Sequence, residues 1–129
     1  MQVSFLIVTK NRPEALAFTL DKLKEQIDFS SQEVLVFIDD CKETEKIVSK
    51  YDWVQWTVSE KSISASPARN ALYKKAKGSI FIGLDDDAHP LTPDFISKLQ
   101  QKFDDDATLG IIAFQEIRGV FENDIVALQ

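Results

Sequence analysis

The hydrophobic positions of this chain fall into two alternating patterns. "VSFLIVT" (Val3–Thr9) is short, apolar and followed by a polar turn, which predicts a buried strand. "PEALAFTLDKLKEQ" opens with Pro13 at a first helical position. Its Leu16, Leu20, Leu23 and Ile27 recur at intervals of four, three and four, one stripe of a helix. "EVLVFIDD" (Glu33–Asp40) predicts a second buried strand, "ETEKIVSKY" a short helix and "WVQWTVSE" (Trp53–Glu60) a third strand. In "SPARNALYKKAKG", Ser66 is the expected N-cap, Pro67 follows it and Gly78 stops the helix. "SIFIGLDDD" predicts a fourth strand. "TPDFISKLQQKF" repeats the cap pattern with Thr92 and Pro93 ahead of a stripe of Phe95, Ile96, Leu99 and Phe103, and "LGIIAFQEI" (Leu109–Ile117) predicts a fifth strand.

Strands apolar on both faces, alternating with amphipathic helices, imply an α/β fold: a mostly parallel central sheet with helices on both faces. In such sheets ligands sit outside the carboxyl ends of the strands, so each strand's exit is where chemistry is expected. The exits read "TKNRP", "DDCKE", "SEKSISASPARN" and "DDDAHP".

Composition narrows the partners. At 129 residues, 44% hydrophobic and 28% charged, the chain suits one soluble globular domain spanning residues 1–129. A net charge of −6 and a pI near 4.7 argue against nucleic acid or an anionic membrane, which both reward clustered Lys and Arg. A phosphate ligand would then need local cations or a metal. No apolar run reaches the ~18 residues of a transmembrane segment. The start "MQVSFLIVTK" lacks the features of a signal peptide, and the single Cys41 cannot form an internal disulfide, so a cytoplasmic location is expected.

Asp85-Asp86-Asp87 follows a buried strand straight to the ligand edge, where clustered carboxylates suit a hard cation. A second acidic run, "FDDDA" at Phe103–Ala107, follows an amphipathic helix and is read as solvated. Asp39, with Asp40, ends the second strand, where a carboxylate can accept from a ribose hydroxyl or a base edge; an acidic turn is the plainer reading. Thr9, Lys10, Asn11 and Arg12 stand where the first strand becomes a helix, and helix N-termini favour anions. Arg69 and Asn70, early in the third helix, are candidates for the same edge, since Arg forks match phosphate oxygens; taken alone, a surface Arg is the commoner reading. His89 is read as an ordinary loop histidine, Cys41 as non-catalytic, and Trp53 and Trp56 as core or edge packing. Four glycines leave no phosphate-binding loop of the G-x-x-x-x-G-K or G-x-G-x-x-G kind, and no Cys/His spacing suits zinc. The nucleotidyltransferases that make sugar nucleotides place a Gly-rich loop after the first strand, and "TKNRP" has no glycine.

Taken in order, "FLIVTKNRP", "VLVFIDD", "SPARNALYKKAKGSIFIGLDDD" and "TPDFISKL" resemble the family 2 glycosyltransferases of the GT-A fold, over roughly Val3 to Gln115. The resemblance implies a nucleoside-diphosphate sugar donor, a hydroxyl acceptor, Mn²⁺ or Mg²⁺, and inverting transfer. It implies that Thr9, Lys10, Asn11, Arg12 and Asp39 hold base and ribose and that Arg69 approaches base or diphosphate. Asp85 and Asp86 would contact ribose, and Asp87 would ligate the metal as the last member of a D-x-D-type motif. Two departures are visible: Ala88 stands where another acid is common, and an acceptor-binding half with its general base is expected beyond this length. "GVFENDIVALQ" carries Glu122 and Asp124, and no pattern assigns either as the base. The alternative class is a non-catalytic metal-dependent nucleotide-sugar-binding or scaffold module. A receiver-like signalling domain would need acids at the end of the first strand, and "IVTKN" has none.

Overall fold

The structure, a computed structural model, describes residues 2–92 and 94–114 and the strand backbone of 117–118 and 127–128. It divides into two compact units, Met1–Pro93 and Asp94–Gln129.

In the first unit the elements run β1 (Val3–Thr9), α1 (Pro13–Lys24), β2 (Gln32–Asp39), α2 (Lys42–Val48), β3 (Val54–Ser59), α3 (Ala65–Lys75) and β4 (Ile80–Asp85). The four strands make one parallel sheet in the order β3-β2-β1-β4. Of the two central strands β2 is buried from end to end and β1 throughout except at half-buried Val8, which is why both read as mainly apolar runs. Side chains alternate across the sheet. Leu6 of β1 with Leu35 and Phe37 of β2 form one core layer with Ala68 and Leu72 of α3. Phe5, Ile7, Val34, Val36 and Ile38 face the other way and are equally buried. The packed pair α1 and α2 buries Leu16, Leu20, Leu23 and Val48.

The chain winds outward from β1 through β2 to β3, and α3 then carries it back across β2 and β1 to lay β4 on the far side of β1. The order therefore reverses at β1, and the crevice between the carboxyl ends of β1 and β4 is the switch point where such sheets bind ligands. In register, Val8 lies opposite Asp85.

Two helix starts differ from the sequence reading: the helix expected to be capped at Thr92 begins at Phe95 with Asp94 as its N-cap, and α3 starts earlier than expected. Ser66 is not the N-cap of α3: the helix begins at Ala65 with Ser64 as its N-cap at φ 67°, and Pro67 falls inside the first turn. Proline costs nothing there, because the first turn's N–H groups have no helical acceptor.

The amino end of the sheet is closed by a buried carboxylate. Glu33 accepts from Ser4 Oγ at 2.6 Å, from the Lys77 backbone N–H at 2.7 Å and from Gln55 Nε2 at 3.2 Å. Ser4 Oγ in turn accepts from the Gly78 N–H at 2.8 Å, so the turn before β4 is fastened to β1, β2 and β3 at once. A Cβ on Gly78 would stand 2.6 Å from the Ser4 backbone nitrogen, so this close approach requires glycine.

In the second unit, α4 (Phe95–Asp105) begins after Asp94, and the Phe95 and Phe114 rings pack at 4.8 Å between centroids. Asp104, Asp105 and Asp106 are exposed, as read from the sequence. Of the fifth strand expected over Leu109–Ile117, residues 109–114 lack strand pairing, and Ile111 is 88% exposed. Strand geometry appears instead at β5 (Ile117–Arg118), antiparallel to β6 (Ala127–Leu128). The apolar run carried the signal of a buried strand, but a strand needs a pairing partner along its length, which the run itself does not specify.

Glu33→Gln should destabilise the fold by about 1–3 kcal/mol, because the amide turns an N–H₂ toward donors in a buried site. Burial alone raises this carboxyl, but the bonds from Ser4, Lys77 and Gln55 outweigh it and hold it below its ordinary range. Its contribution is therefore complete above the unfolded carboxyl range and disappears as pH falls through the lower folded value. Urea unfolding of both proteins from neutral to acid pH should show the gap between them closing at the acid end.

Candidate functional site

Each strand delivers its last polar residues to the carboxyl edge, and after β1 and β2 the backbone turns there through positive φ. Asn11 after β1 stands at φ 54° and Asp40 after β2 at φ 49°, conformations that Asn and Asp tolerate best among residues with a side chain. The residues singled out in the sequence then fall into three groups.

The first group is built across the β1/β4 crevice. Asp86 is 6% exposed, and its Oδ2 accepts from Thr9 Oγ1 at 2.9 Å while its Oδ1 pairs with Arg12 at 3.0 Å. The other arm of the Arg12 guanidinium reaches Asp87 Oδ2, also at 3.0 Å. Thr19 Oγ1, from the second turn of α1, donates to the Asp86 carbonyl at 2.7 Å. The three consecutive acids are thus separated: Asp86 turns inward, while Asp85 and Asp87 stay exposed. Arg12 is the N-cap of α1, but its side chain makes no cap bond and lies along the acids instead. Asp87's hydrogen bond and the neighbouring charges raise its pKa further.

The second group surrounds Asp39, which is 2% exposed. Its Oδ1 accepts from the Ile63 backbone N–H at 2.9 Å and from Ser59 Oγ at 3.1 Å, and its Oδ2 from Ser62 Oγ at 3.3 Å. Lys10 Nζ donates to Ser62 Oγ at 2.7 Å, tying the exit of β1 to the segment after β3. Burial raises the Asp39 carboxyl, but those donors and the Lys10 charge more than offset it and keep it below its usual range. Asn11 turns the chain here, and its backbone N–H helps Thr44 hold the Cys41 thiol below its ordinary range.

The third group is Arg69 with Asp85. They line a cavity of about 170 Å³ on the α3 side of β4, together with Leu6, Tyr73, Gly83 and Leu84. Ligand sites span ~300–1,000 Å³, so this cavity is a corner of a groove rather than a whole pocket. His89, read as an ordinary loop histidine, packs its ring on Phe18 at 6.1 Å and contacts the Pro90 carbonyl through Nδ1 at 2.9 Å. Trp53 packs on Phe29 and Tyr51, and Trp56 lies half-exposed on the edge strand β3.

Sequence reasoning passed over Thr19, Ser59 and Ser62. Thr19 had a signal, a hydroxyl inside the apolar stripe of Leu16, Leu20 and Leu23. Ser59 and Ser62 had none beyond their place in a strand exit. Glu122 and Asp124 lie outside the described residues.

With this geometry the chain was compared with known proteins. The glycosyl transferase family 2 profile matches residues 4–126. The chain belongs to that family. Comparison with curated protein sequences gave no match. Among solved structures, residues 1–349 of TarS from S. aureus in complex with UDP align at a TM-score of 0.75 and 20% identity, covering 97% of this chain and 38% of that one. The same protein with UDP-GlcNAc aligns at 0.72 and 21% identity, covering 97% and 37%. The mannosyltransferase PcManGT from Pyrobaculum calidifontis, in complex with GDP-Man and Mn²⁺, aligns at 0.72 and 20% identity over 79% of this chain and 32% of that one. The fold is GT-A. This chain spans about a third of the length of these glycosyltransferases. No helix among the described residues is long and apolar enough to cross a membrane.

Asp86→Asn should be neutral or stabilising by up to about 1 kcal/mol at pH 7. Burial, the largest influence, pushes the Asp86 carboxyl above its ordinary range despite Thr9 and Arg12, and the charges of Asp87 and Asp85 push the same way. Such a group's contribution is present below the unfolded carboxyl value and is lost as pH rises through the higher folded one. The variant's advantage should therefore grow from acid to neutral pH, as thermal unfolding of the two proteins would read. A loss larger than that at neutral pH would mean the Arg12 and Thr9 bonds dominate.

Proposed function

We propose that this chain is the donor-binding part of a glycosyltransferase: it holds a nucleoside-diphosphate sugar through Mn²⁺ or Mg²⁺ and passes the sugar to a hydroxyl acceptor with inversion. The observation that carries the reading is the meeting of Arg12 with buried Asp86 and exposed Asp87 at the β1/β4 switch point, where exposed Asp85 ends β4. The relatives' complexes with GDP-Man and Mn²⁺ and with UDP-GlcNAc support the donor class. A cytoplasmic site of action, suggested by the lone Cys41, belongs to the same proposal.

The residues present suit the metal. Among the described residues no three acids, histidines or cysteines converge as a protein-only cage. Mn²⁺ and Mg²⁺ do not need one, because one or two carboxylates plus diphosphate oxygens complete the shell. Asp87 is half-exposed and is the carboxylate we assign to the cation, which when bound would neutralise the departing diphosphate. Asp85 shares its cavity with Arg69, which suits a ribose contact beside a phosphate contact. Asp86 carries the D-x-D middle position, and its inward bonds to Thr9 and Arg12 suit holding the crevice more than touching ribose directly. Buried Asp39, with half-buried Ser59 and exposed Lys10 and Ser62, forms a polar wall suited to the base and ribose. Thr9 and Asn11 shape the turn on which these side chains stand. The transfer itself is attack of an acceptor oxygen on the anomeric carbon, with the diphosphate leaving from the opposite face and the acceptor's proton going to a base that remains unassigned.

The test is a thermal-shift panel of UDP, GDP, CDP and dTDP, each with Mn²⁺ and with EDTA. A ligand that binds only the folded state raises the melting temperature by mass action. We expect one nucleotide to give a shift that requires the metal, and Asp87→Ala to abolish that shift while the protein stays folded. Equal shifts in EDTA would defeat the metal reading. Metal-dependent binding without sugar transfer to any of a panel of acceptors, by a chain including the rest of a glycosyltransferase's length, would favour a binding module.

A further inference from the structure

The Arg12 guanidinium occupies the acidic strand end in a way that bears on how a cation gets there. We infer that Arg12 is a built-in counter-ion that stands in for the divalent cation in the nucleotide-free protein, and that moving one arm of it from Asp87 to the diphosphate couples metal binding to nucleotide binding. This rests on the function proposed above and adds to it a residue that sets the order of binding.

The two grips of the guanidinium are unequal. Toward Asp86 the pair is anchored: the carboxylate is 8% exposed in its side chain, Thr9 fixes its other oxygen at 2.9 Å, and Thr19 holds its carbonyl at 2.7 Å. Toward Asp87 the pair is open, with side chains 50% and 51% exposed, so water can replace either partner. One arm can therefore let go while the other serves as a pivot. The backbone at the pivot is held as well, with Asn11 at φ 54° before it and the Pro13 ring after it at the start of the 12-residue helix α1.

The charges explain why the arm should move. Without a cation, Asp85, Asp86 and Asp87 repel one another, and Arg12 relieves this by bridging two of them. A divalent cation arriving alone at Asp87 meets a guanidinium already bonded to Oδ2 and is repelled by its charge. A diphosphate changes the balance. It brings oxygens for the metal and for the released N–H donors, at a helix start that already favours anions. Linkage then requires that nucleotide strengthen metal binding and metal strengthen nucleotide binding by the same factor.

The experiment compares the wild-type chain with Arg12→Gln. Mn²⁺ binding without nucleotide is read from the electron paramagnetic resonance signal of free Mn²⁺, and UDP and GDP binding at saturating Mn²⁺ is read by calorimetry. Arg12→Gln should bind Mn²⁺ alone roughly two- to fivefold more tightly, the range a half-exposed ion pair can exert, and should bind the nucleotide more weakly. Opposite signs are the signature, since a merely structural loss weakens both. Mn²⁺ binding equal to or weaker than wild type overturns the inference, as does tighter Mn²⁺ with unchanged nucleotide binding. Should Arg12→Gln fail to fold because it strands buried Asp86, the pair Asp86→Asn and Asp86→Asn/Arg12→Gln removes that charge, and the same tightening is expected between those two. Metal-independent nucleotide binding by the wild type would instead bring down the proposed function, and this inference with it. Metal-dependent wild-type binding with no tightening in the variants would bring down this inference alone.

Discussion

The arrangement of this protein depends on β4 lying beside β1. Apart from Thr19 of α1, the residues that meet at the crevice come from one of those two strands or from the turn that follows, and Val8 opposite Asp85 sets their alignment. The pairing joins distant parts of the sequence, so it must be fastened at both ends. At the amino end Glu33, Ser4, Lys77 and Gly78 clasp the turn before β4, and at the carboxyl end Thr9, Thr19 and Arg12 hold Asp86. A one-residue slip would shift the turn after β4 along β1 and carry Asp86 away from Thr9 and Thr19.

Two buried carboxylates therefore serve the same sheet with opposite electrostatics. Glu33 has enough donors, including a backbone N–H, to keep its charge favourable despite burial. Asp86 has a hydroxyl and one arm of a guanidinium, and burial still prevails. The difference marks where stability is built and where it is partly given up: the amino end of the sheet is a fastening, and the carboxyl end keeps an acid-rich surface available for a ligand. Asp39 resembles Glu33 in its donors although it stands at the functional edge, so the wall on that side of the crevice is rigid while the Asp87 side is open to solvent.

The family placement fits this division. The shared fold with TarS and PcManGT is a likeness of architecture at about 20% identity, so it concerns the sheet and its switch point rather than particular side chains. In this chain a guanidinium lies across the acids, pairing with buried Asp86 and with Asp87 and leaving two accessible carboxylates, Asp85 and Asp87. A strand-end acidic cluster is then compatible with a folded protein before any cation arrives.

The sequence by itself determined the strands, the helices and the edge on which chemistry gathers. Buried parallel strands must be apolar on both faces, so Val3–Thr9 and Gln32–Asp39 announce themselves, and Leu16, Leu20 and Leu23 report a helix by spacing alone. The acids after β4 were legible for the same reason, since charge directly after a buried strand has few places to go. Tertiary structure decided which of those acids is which. Asp86 is inward and Asp87 outward because the β1/β4 pairing brings Thr9, Thr19 and Arg12 to the turn after β4, and no local pattern in "LDDDA" distinguishes them. Ser59 and Ser62 became partners of Asp39 only because β3 lies beside β2, and the run 109–114 stayed unpaired because a strand's existence depends on a neighbour that its own residues do not encode.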